Sequence, residues 1–227
     1  MTIALIAALP AELKLLVRGW EKRVSAGKPA IWRGRIGDME AVAVSEGMGA
    51  AAATRACEAV LAADSAIDAL VSVGYAGSVS CGLQVGAAYP IREVIDAATG
   101  ERFTTDNGQG QRLITLAHVA DRDEKRKLAA QHQAVLIDME AAAVARFARD
   151  HNLRFLCFKG ISDGPNDRLP DFNRFVGPDG QLRMAALAAW ATLHPQYWKA
   201  LGQLENNSRH AVQALATVMQ RFFAGSP

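Results

Sequence analysis

Residues 3–8 read Ile3-Ala4-Leu5-Ile6-Ala7-Ala8, an apolar run in which neither alternate set of positions is polar. Successive side chains of a strand point to opposite faces, so a strand of this kind has no side it can turn to water and must be covered on both. Related runs predict strands at 69–73 (Ala69-Leu70-Val71-Ser72-Val73), 134–137 and 154–161, with further strands at 40–45 and 88–95. Helical stretches separate them: one opened by Pro10 and continued through Leu13, Leu16 and Val17, an Ala-rich one at 50–62, and one at 139–150. Strand and helix alternate along the chain, which predicts a three-layer α/β/α sandwich with a mixed, mainly parallel central sheet. Residues 182–223 read as two C-terminal helices broken near His194-Pro195. With no internal repeat and no low-complexity linker, 1–227 reads as a single domain.

Composition narrows the function classes. Half of the 227 residues are hydrophobic and only 7% aromatic, which suits helices packed closely on a buried sheet and excludes disorder as the dominant state. Lys and Arg number 25 against 23 Asp and Glu, with no basic block, so a nucleic-acid partner is not expected. The apolar opening is stopped by Pro10 and has no Lys/Arg-rich flank, so it reads neither as a signal peptide nor as a membrane span; a soluble, cytoplasmic protein is expected. Cys57, Cys81 and Cys157 lie far apart with no C-x-x-C, and the 5 histidines never fall at H-x-x-x-H spacing. Neither a disulfide framework nor a metal centre is expected.

Ligands of open α/β sheets sit beyond the carboxyl ends of the strands. Four of those ends carry chemistry here: Glu12 after the first strand, Ser45-Glu46-Gly47-Met48-Gly49 after the second, Gly74-Tyr75-Ala76-Gly77 after the third, and Ser162-Asp163-Gly164 after the late strand. Asp138-Met139-Glu140 opens a helix, where carboxylates also settle for purely local reasons. The polar, Gly-rich segments 97–111 and 163–181 are the loops expected to border a site. Gly47-x-Gly49-x-x-Ala52 formally fits the dinucleotide-binding fingerprint, but Asp68 begins the following strand instead of an acidic residue ending it. Glycines that permit a tight turn and close helix packing account for the same residues.

Taken together and in order, Ile3 to Glu12, Gly47-Met48-Gly49, Gly74-Tyr75-Ala76-Gly77, Asp138-Met139-Glu140-Ala141-Ala142-Ala143 and Ile161-Ser162-Asp163 resemble the nucleoside phosphorylase superfamily, within it the methylthioadenosine/adenosylhomocysteine nucleosidase branch. The resemblance covers roughly the first 175 residues and implies a nucleoside phosphorylase-like fold that releases adenine from a 5′-modified adenosine. Breaking a purine N-glycosidic bond leaves an oxocarbenium-like ribose and an electron-rich base, so such a site must protonate the base and hold the sugar. By resemblance Asp163 is the acid that protonates purine N7, Glu140 grips the ribose hydroxyls, Met139 packs on the sugar and Glu12 activates water. Ser162, Gly77, Gly47, Met48 and Lys159 complete the expected substrate contacts. Phe158 and Pro165 are expected along the base, and Leu9, Met48, Phe172 and Phe175 around the 5′ substituent. As bare residues, Asp163 also fits a loop cap, and Glu12 and Glu140 also fit solvated first-turn glutamates.

Two positions depart from the nucleosidase pattern. Lys159 stands where an Arg is usual, and Tyr75 where Ser or another small residue is usual. A point-charge Lys is a poorer fork for oxyanions than Arg, yet with the two glycine turns it leaves phosphate open as the nucleophile. Leu169-Pro170-Asp171-Phe172-Asn173-Arg174-Phe175, His194-Pro195-Gln196-Tyr197-Trp198 and Asn206-Asn207-Ser208-Arg209 resemble the hopanoid-associated phosphorylases, which are thought to remove adenine from adenosylhopane. That second resemblance implies phosphorolysis of a nucleoside with a lipidic 5′ group. The presence of all three carboxylates argues against a purine binder without turnover. The family implies a small-molecule nucleoside substrate, with or without phosphate, no cofactor, and a homo-oligomer.

Overall fold

The computed structural model describes residues 1–225; the last two positions of the expected 1–227 domain, Ser226 and Pro227, lie outside the described residues. In chain order the elements are β1 (Thr2–Ala7), α1 (Pro10–Leu13), β2 (Glu21–Arg23), β3 (Ile31–Ile36), β4 (Met39–Ser45), α2 (Ala50–Ala63), β5 (Ile67–Ser78), β6 (Ala88–Asp96), β7 (Arg102–Thr104) and β8 (Gln111–Thr115). They continue with α3 (Arg122–His132), β9 (Leu136–Asp138), α4 (Ala141–Asp150), β10 (Arg154–Asp163), α5 (Met184–Thr192) and α6 (Trp198–Phe223), with 3₁₀ turns at Phe172–Phe175 and Pro195–Tyr197.

Strand order is β10-β6-β8-β9-β5-β1-β4-β3-β2, and β10 also pairs with β5. Five strands therefore close into a ring (β5, β10, β6, β8, β9), from which β1 to β4 extend as an open wing. The centre is parallel: β1 runs with β4 and β5, and β5 with β10. Antiparallel pairs hold the edges, among them the β2, β3 and β4 meander and the junctions β10 with β6 and β5 with β9.

The apolar run of β1 is divided between two cores. Ala4 and Ile6 enter one with α2 and α4, whose Ala53, Ala56, Cys57, Val60, Ala141 and Val144 let helix axes lie close to the sheet. Ile3, Leu5 and Ala7 enter the other with Leu13, Leu215, Met219 and Phe223 from α1 and α6. Both faces of the strand are thus in contact with helices, and each large side chain so buried contributes about 1.5–3 kcal/mol. A Cβ at Gly160 would come within 2.8 Å of the Ala211 carbonyl, so glycine there allows α6 to lie directly on β10.

Several boundaries differ from the sequence expectation. α1 is a single turn, and Leu16 and Val17 come after it in turns. β5 does not stop at Val73; it runs through the glycine-rich segment because β10 continues beside it, pairing Lys159 with Gly74, Gly160 with Tyr75 and Asp163 with Gly77. The helix expected from 139 starts at Ala141, where Asp138 Oδ2 accepts the Ala141 N–H at 2.9 Å. Segment 97–111 is partly strand, and its Asp106 and Asn107 accept the N–H groups of Phe155 and Cys157 at 2.8 and 2.9 Å, so it braces β10.

Candidate active site

The ends of β1, β5, β9 and β10 meet at a cavity of about 230 Å³, also walled by α3, the segment around Phe172 and one face of α6. Glu12, Met48, Gly77, Met139, Glu140, Ser162 and Asp163 line it, together with Leu9, Tyr75, Asp138, Phe172, Leu182 and Leu204. Residues far apart in the sequence are thereby brought to one wall, and loop 163–181 borders it as expected while loop 97–111 does not.

Glu12 is placed by its own helix start. Pro10 opens the single turn, and Glu12 reaches back so that Oε2 accepts the N–H groups of Ala8 and Leu9, both at 2.8 Å, while Oε1 accepts the Tyr75 N–H at 2.8 Å. Burial raises its pKa, against these three hydrogen bonds and the nearby Lys159 charge, which favour the carboxylate. Gly74 is required here: its φ is +142°, and a Cβ would sit 2.5 Å from Glu12 Oε1.

Glu140 caps no N–H of its own helix. Its Oε1 accepts the Gly49 N–H at 2.7 Å and its Oε2 the Met139 N–H at 3.2 Å, which joins the start of α4 to the glycine turn before α2. Burial, then the neighbouring Asp138 charge, pushes its pKa up to about 7, with Lys159 acting in the opposite direction.

Asp163 ends β10 at a register shift after Ile161, an irregularity of the kind that re-aims side chains at sites. Its Oδ1 accepts the Ser162 hydroxyl at 2.6 Å, and its Oδ2 is in an ion pair with Lys125. Lys125 Nζ also donates to the Gly164 carbonyl at 3.1 Å.

Five expected contacts stand elsewhere. Phe158 is fully buried in the core beneath α6, 5.1 Å from the Phe222 ring, because alternate positions of β10 face opposite ways and position 158 faces the helix. Lys159 lies behind the cavity wall, its Nζ 2.9 Å from Asp138 Oδ2; burial opposes its charge, but the Asp138 carboxylate outweighs this and its pKa rises. Asp138 in turn accepts the Thr115 hydroxyl at 2.7 Å. Gly47 locks loops together, donating to the Ala8 carbonyl at 2.9 Å, with a φ of +110° that leaves Gly180 its space. Of the apolar candidates, Leu9, Met48 and Phe172 line the cavity; Pro165 does not, and Phe175 packs edge-on against Trp190.

Sequence reasoning does not single out Lys125. It sits in the run Arg122-Asp123-Glu124-Lys125-Arg126-Lys127, which as sequence reads as a solvated helix face. Its only distinguishing sign is spacing: Lys125 and the apolar Leu128 are three apart, and both are buried. Among the described residues no cluster of three or more His, Cys, Asp or Glu could hold a metal, and no helix is long and apolar enough to cross a membrane.

The fold resembles 5′-methylthioadenosine/S-adenosylhomocysteine nucleosidase from S. pneumoniae with the transition-state inhibitor MT-ImmA (TM-score 0.72, 22% identity, 99% of each chain covered). It also resembles the Neisseria meningitidis nucleosidase in complex with methylthio-immucillin-A (TM-score 0.73, 17% identity, 99% of each chain). Native futalosine hydrolase of Helicobacter pylori strain 26695 superposes with a TM-score of 0.71 at 13% identity, over 98% of this chain and 97% of that one. At these identities the likeness is one of fold. No curated protein matches the sequence. The family model described as Phosphorylase superfamily matches residues 2–123 and 97–191, which takes in every strand and all three carboxylates. The chain belongs to the phosphorylase superfamily.

Proposed function

We infer that the protein is a nucleosidase that cleaves the N-glycosidic bond of a 5′-modified adenosine and releases adenine, with water as nucleophile. The observation that carries this reading is the convergence of Glu12, Glu140 and Asp163 on one cavity, each held by hydrogen bonds in a different setting. Asp163 supplies a proton to purine N7 as the C1′–N9 electron pair moves onto the base. Glu140 accepts from the ribose hydroxyls, which Met139 backs, and Glu12 takes the proton of the attacking water.

Water is favoured over phosphate by the charge around Glu12. The Ala8, Leu9 and Tyr75 N–H groups that would cradle an oxyanion are already taken by the Glu12 carboxylate, and Lys159 is paired with Asp138. Among the described residues that line the cavity there is no Arg, and the one Lys faces Asp163. A phosphate dianion near Glu12 and Glu140 would meet two carboxylates with no free cation beside them. Leu9, Met48, Phe172, Leu182 and Leu204 give the remaining wall an apolar character that suits an alkylthio or longer apolar 5′ group.

Adenine release from methylthioadenosine, adenosylhomocysteine and an adenosylhopane-like nucleoside, each with and without phosphate, tests the reading. Release independent of phosphate is expected; strict dependence on phosphate would transfer the same site to phosphorolysis, and inert substrates throughout would remove the enzymatic reading.

A further inference from the structure

The nucleosidase reading requires Asp163 to arrive at the transition state with a proton, and its two oxygens face a hydroxyl donor and the Lys125 ammonium. Lys125 is buried, 4% exposed, on a helix whose neighbouring charges Asp123, Arg126 and Lys127 are exposed. A lone lysine in such a place costs free energy unless it is paired, so its inward turn is tied to Asp163. The pair is not sealed: both residues line the cavity, and Gly77 gives access, since a Cβ there would lie 2.9 Å from Asp163 Oδ2 and 3.2 Å from Lys125 Nζ.

We propose that Lys125 is a positioning residue that stores the proton Asp163 delivers to the leaving purine. In the free protein the pair holds one proton on Lys125. As the C1′–N9 bond breaks and its electron pair moves to the base, the proton passes from the Lys125 ammonium to Asp163 and from Asp163 to N7, leaving Lys125 a neutral amine. The proton of the attacking water goes to Glu12. Once products leave, Glu12 returns its proton to solvent and Lys125 takes one up, so the cycle closes with nucleoside and water consumed.

The setting of Lys125 eases the transfer. Lys125 lies near the start of α3, its N–H bonded to the Asp121 carbonyl at 3.0 Å, which anchors the residue that carries the ammonium. An ammonium has three donors, and Lys125 gives one to Asp163 and one to Gly164, so it can lose a proton while keeping a neighbour on each side. Lysine is also the cation able to do this, because arginine does not give up its proton in proteins.

The proposal rests on the nucleosidase reading, so the first step is to find which of methylthioadenosine, adenosylhomocysteine and adenosine the native protein cleaves best. Its kcat/KM profile from about pH 5.5 to 9.5, a range that brackets the working pKa of general acids and bases, is then compared with those of Lys125→Met and Lys125→Arg. 4-Nitrophenyl riboside, whose phenolate leaves without a proton, is run in parallel. The other titratable groups sharing the cavity are Glu12, Tyr75, His118, Asp138 and Glu140, with Glu124 bonded to His118 and Asp167 accepting the Gly164 N–H. All of them are unchanged in both variants.

With the lysine gone, the proton belongs to a carboxyl alone, so the alkaline limb in Lys125→Met is expected at least about one pH unit lower. Lys125→Arg keeps the charge but not the proton supply, and should lose roughly tenfold or more in kcat on the nucleoside across about pH 6–9. Both variants should cleave the nitrophenyl riboside within about threefold of the native rate, since no proton is needed there. Native-like turnover of the nucleoside by Lys125→Arg, an unmoved alkaline limb in Lys125→Met, or equal losses on both substrates would overturn the proposal. If the native protein cleaves none of the nucleosides, the nucleosidase reading itself fails and takes this one with it.

Discussion

Two buried lysine–aspartate pairs each have one member on β10, Lys159 paired with Asp138 of β9 and Asp163 paired with Lys125 of α3, and they differ in how they meet the cavity. Lys159 and Asp138 have side chains 1% and 0% exposed, and Asp138 is further bonded to Thr115 and to the first N–H of α4. Lys125 and Asp163 have side chains 5% and 12% exposed and form part of a cavity wall. Asp138 belongs to the cavity wall, but its side chain is covered and is bonded within the fold, to Lys159, Thr115 and the Ala141 N–H. The open pair is held from behind by Ser162 and Gly164 and faces the space a purine would enter. Opposite charges in a protein interior thus serve as scaffold or as chemistry according to whether a ligand can reach them.

Substitutions separate the two. Asp163→Asn should lower kcat by roughly 10²–10⁴-fold, as loss of a general acid does, with little change in thermal midpoint; adenine release measured by chromatography reads it. Lys159→Met should do the reverse, costing about 3–5 kcal/mol of stability in urea titration because Asp138 is left charged and unpaired. Adding Asp138→Asn to it should recover part of that loss, and a purely additive double variant would show that the two residues do not act as a unit.

The carboxylate between the pairs gives a smaller, pH-dependent effect. Glu140 is raised from the ordinary carboxylate range to about 7, first by burial and then by Asp138. A carboxyl raised on folding contributes stability that is present below its unfolded value and lost as pH rises through about 7; the ionised form, which we propose grips the ribose, appears over the same upward interval. Affinity for an uncleavable adenosine analogue should therefore weaken as pH falls below about 7, by at most about tenfold per unit, and Glu140→Gln should flatten that dependence. The smallest change is expected from Phe172→Ala in the apolar wall, a KM raised roughly threefold to tenfold for a 5′-alkylthio substrate with kcat retained.

The central sheet is legible in the sequence because apolar runs stop abruptly, and Glu12 and Asp163 follow two of those stops; Glu140 is singled out only by the resemblance, since a carboxylate at a helix start also settles there for local reasons. Lys125 is not legible, since among charged helix neighbours its one sign, the apolar Leu128 three residues on, is too slight to tell which way it turns. The resemblance puts Phe158 and Lys159 at the cavity, but a strand decides facing by parity and register, and neither is readable from one strand alone. Glycine misleads at 74: it reads as a stop, whereas here it is a gap in a continuing strand that leaves room for Glu12. The β2 and β3 edge is hidden by its charges, Glu21, Lys22 and Arg23, which keep an exposed edge from pairing with other chains.

The ring of five strands also sets an order of assembly. β5 (Ile67–Ser78) comes early, while β10 (Arg154–Asp163), which closes the ring, follows every other strand among the described residues. The wing of β1 to β4 has its partners early; the ring does not, and its closure joins segments widely separated along the chain. A nascent chain that ends before β10 would already carry Glu12 and Glu140 but not Asp163, so the three carboxylates come together only when β10 closes the ring, with α6 still to cover it.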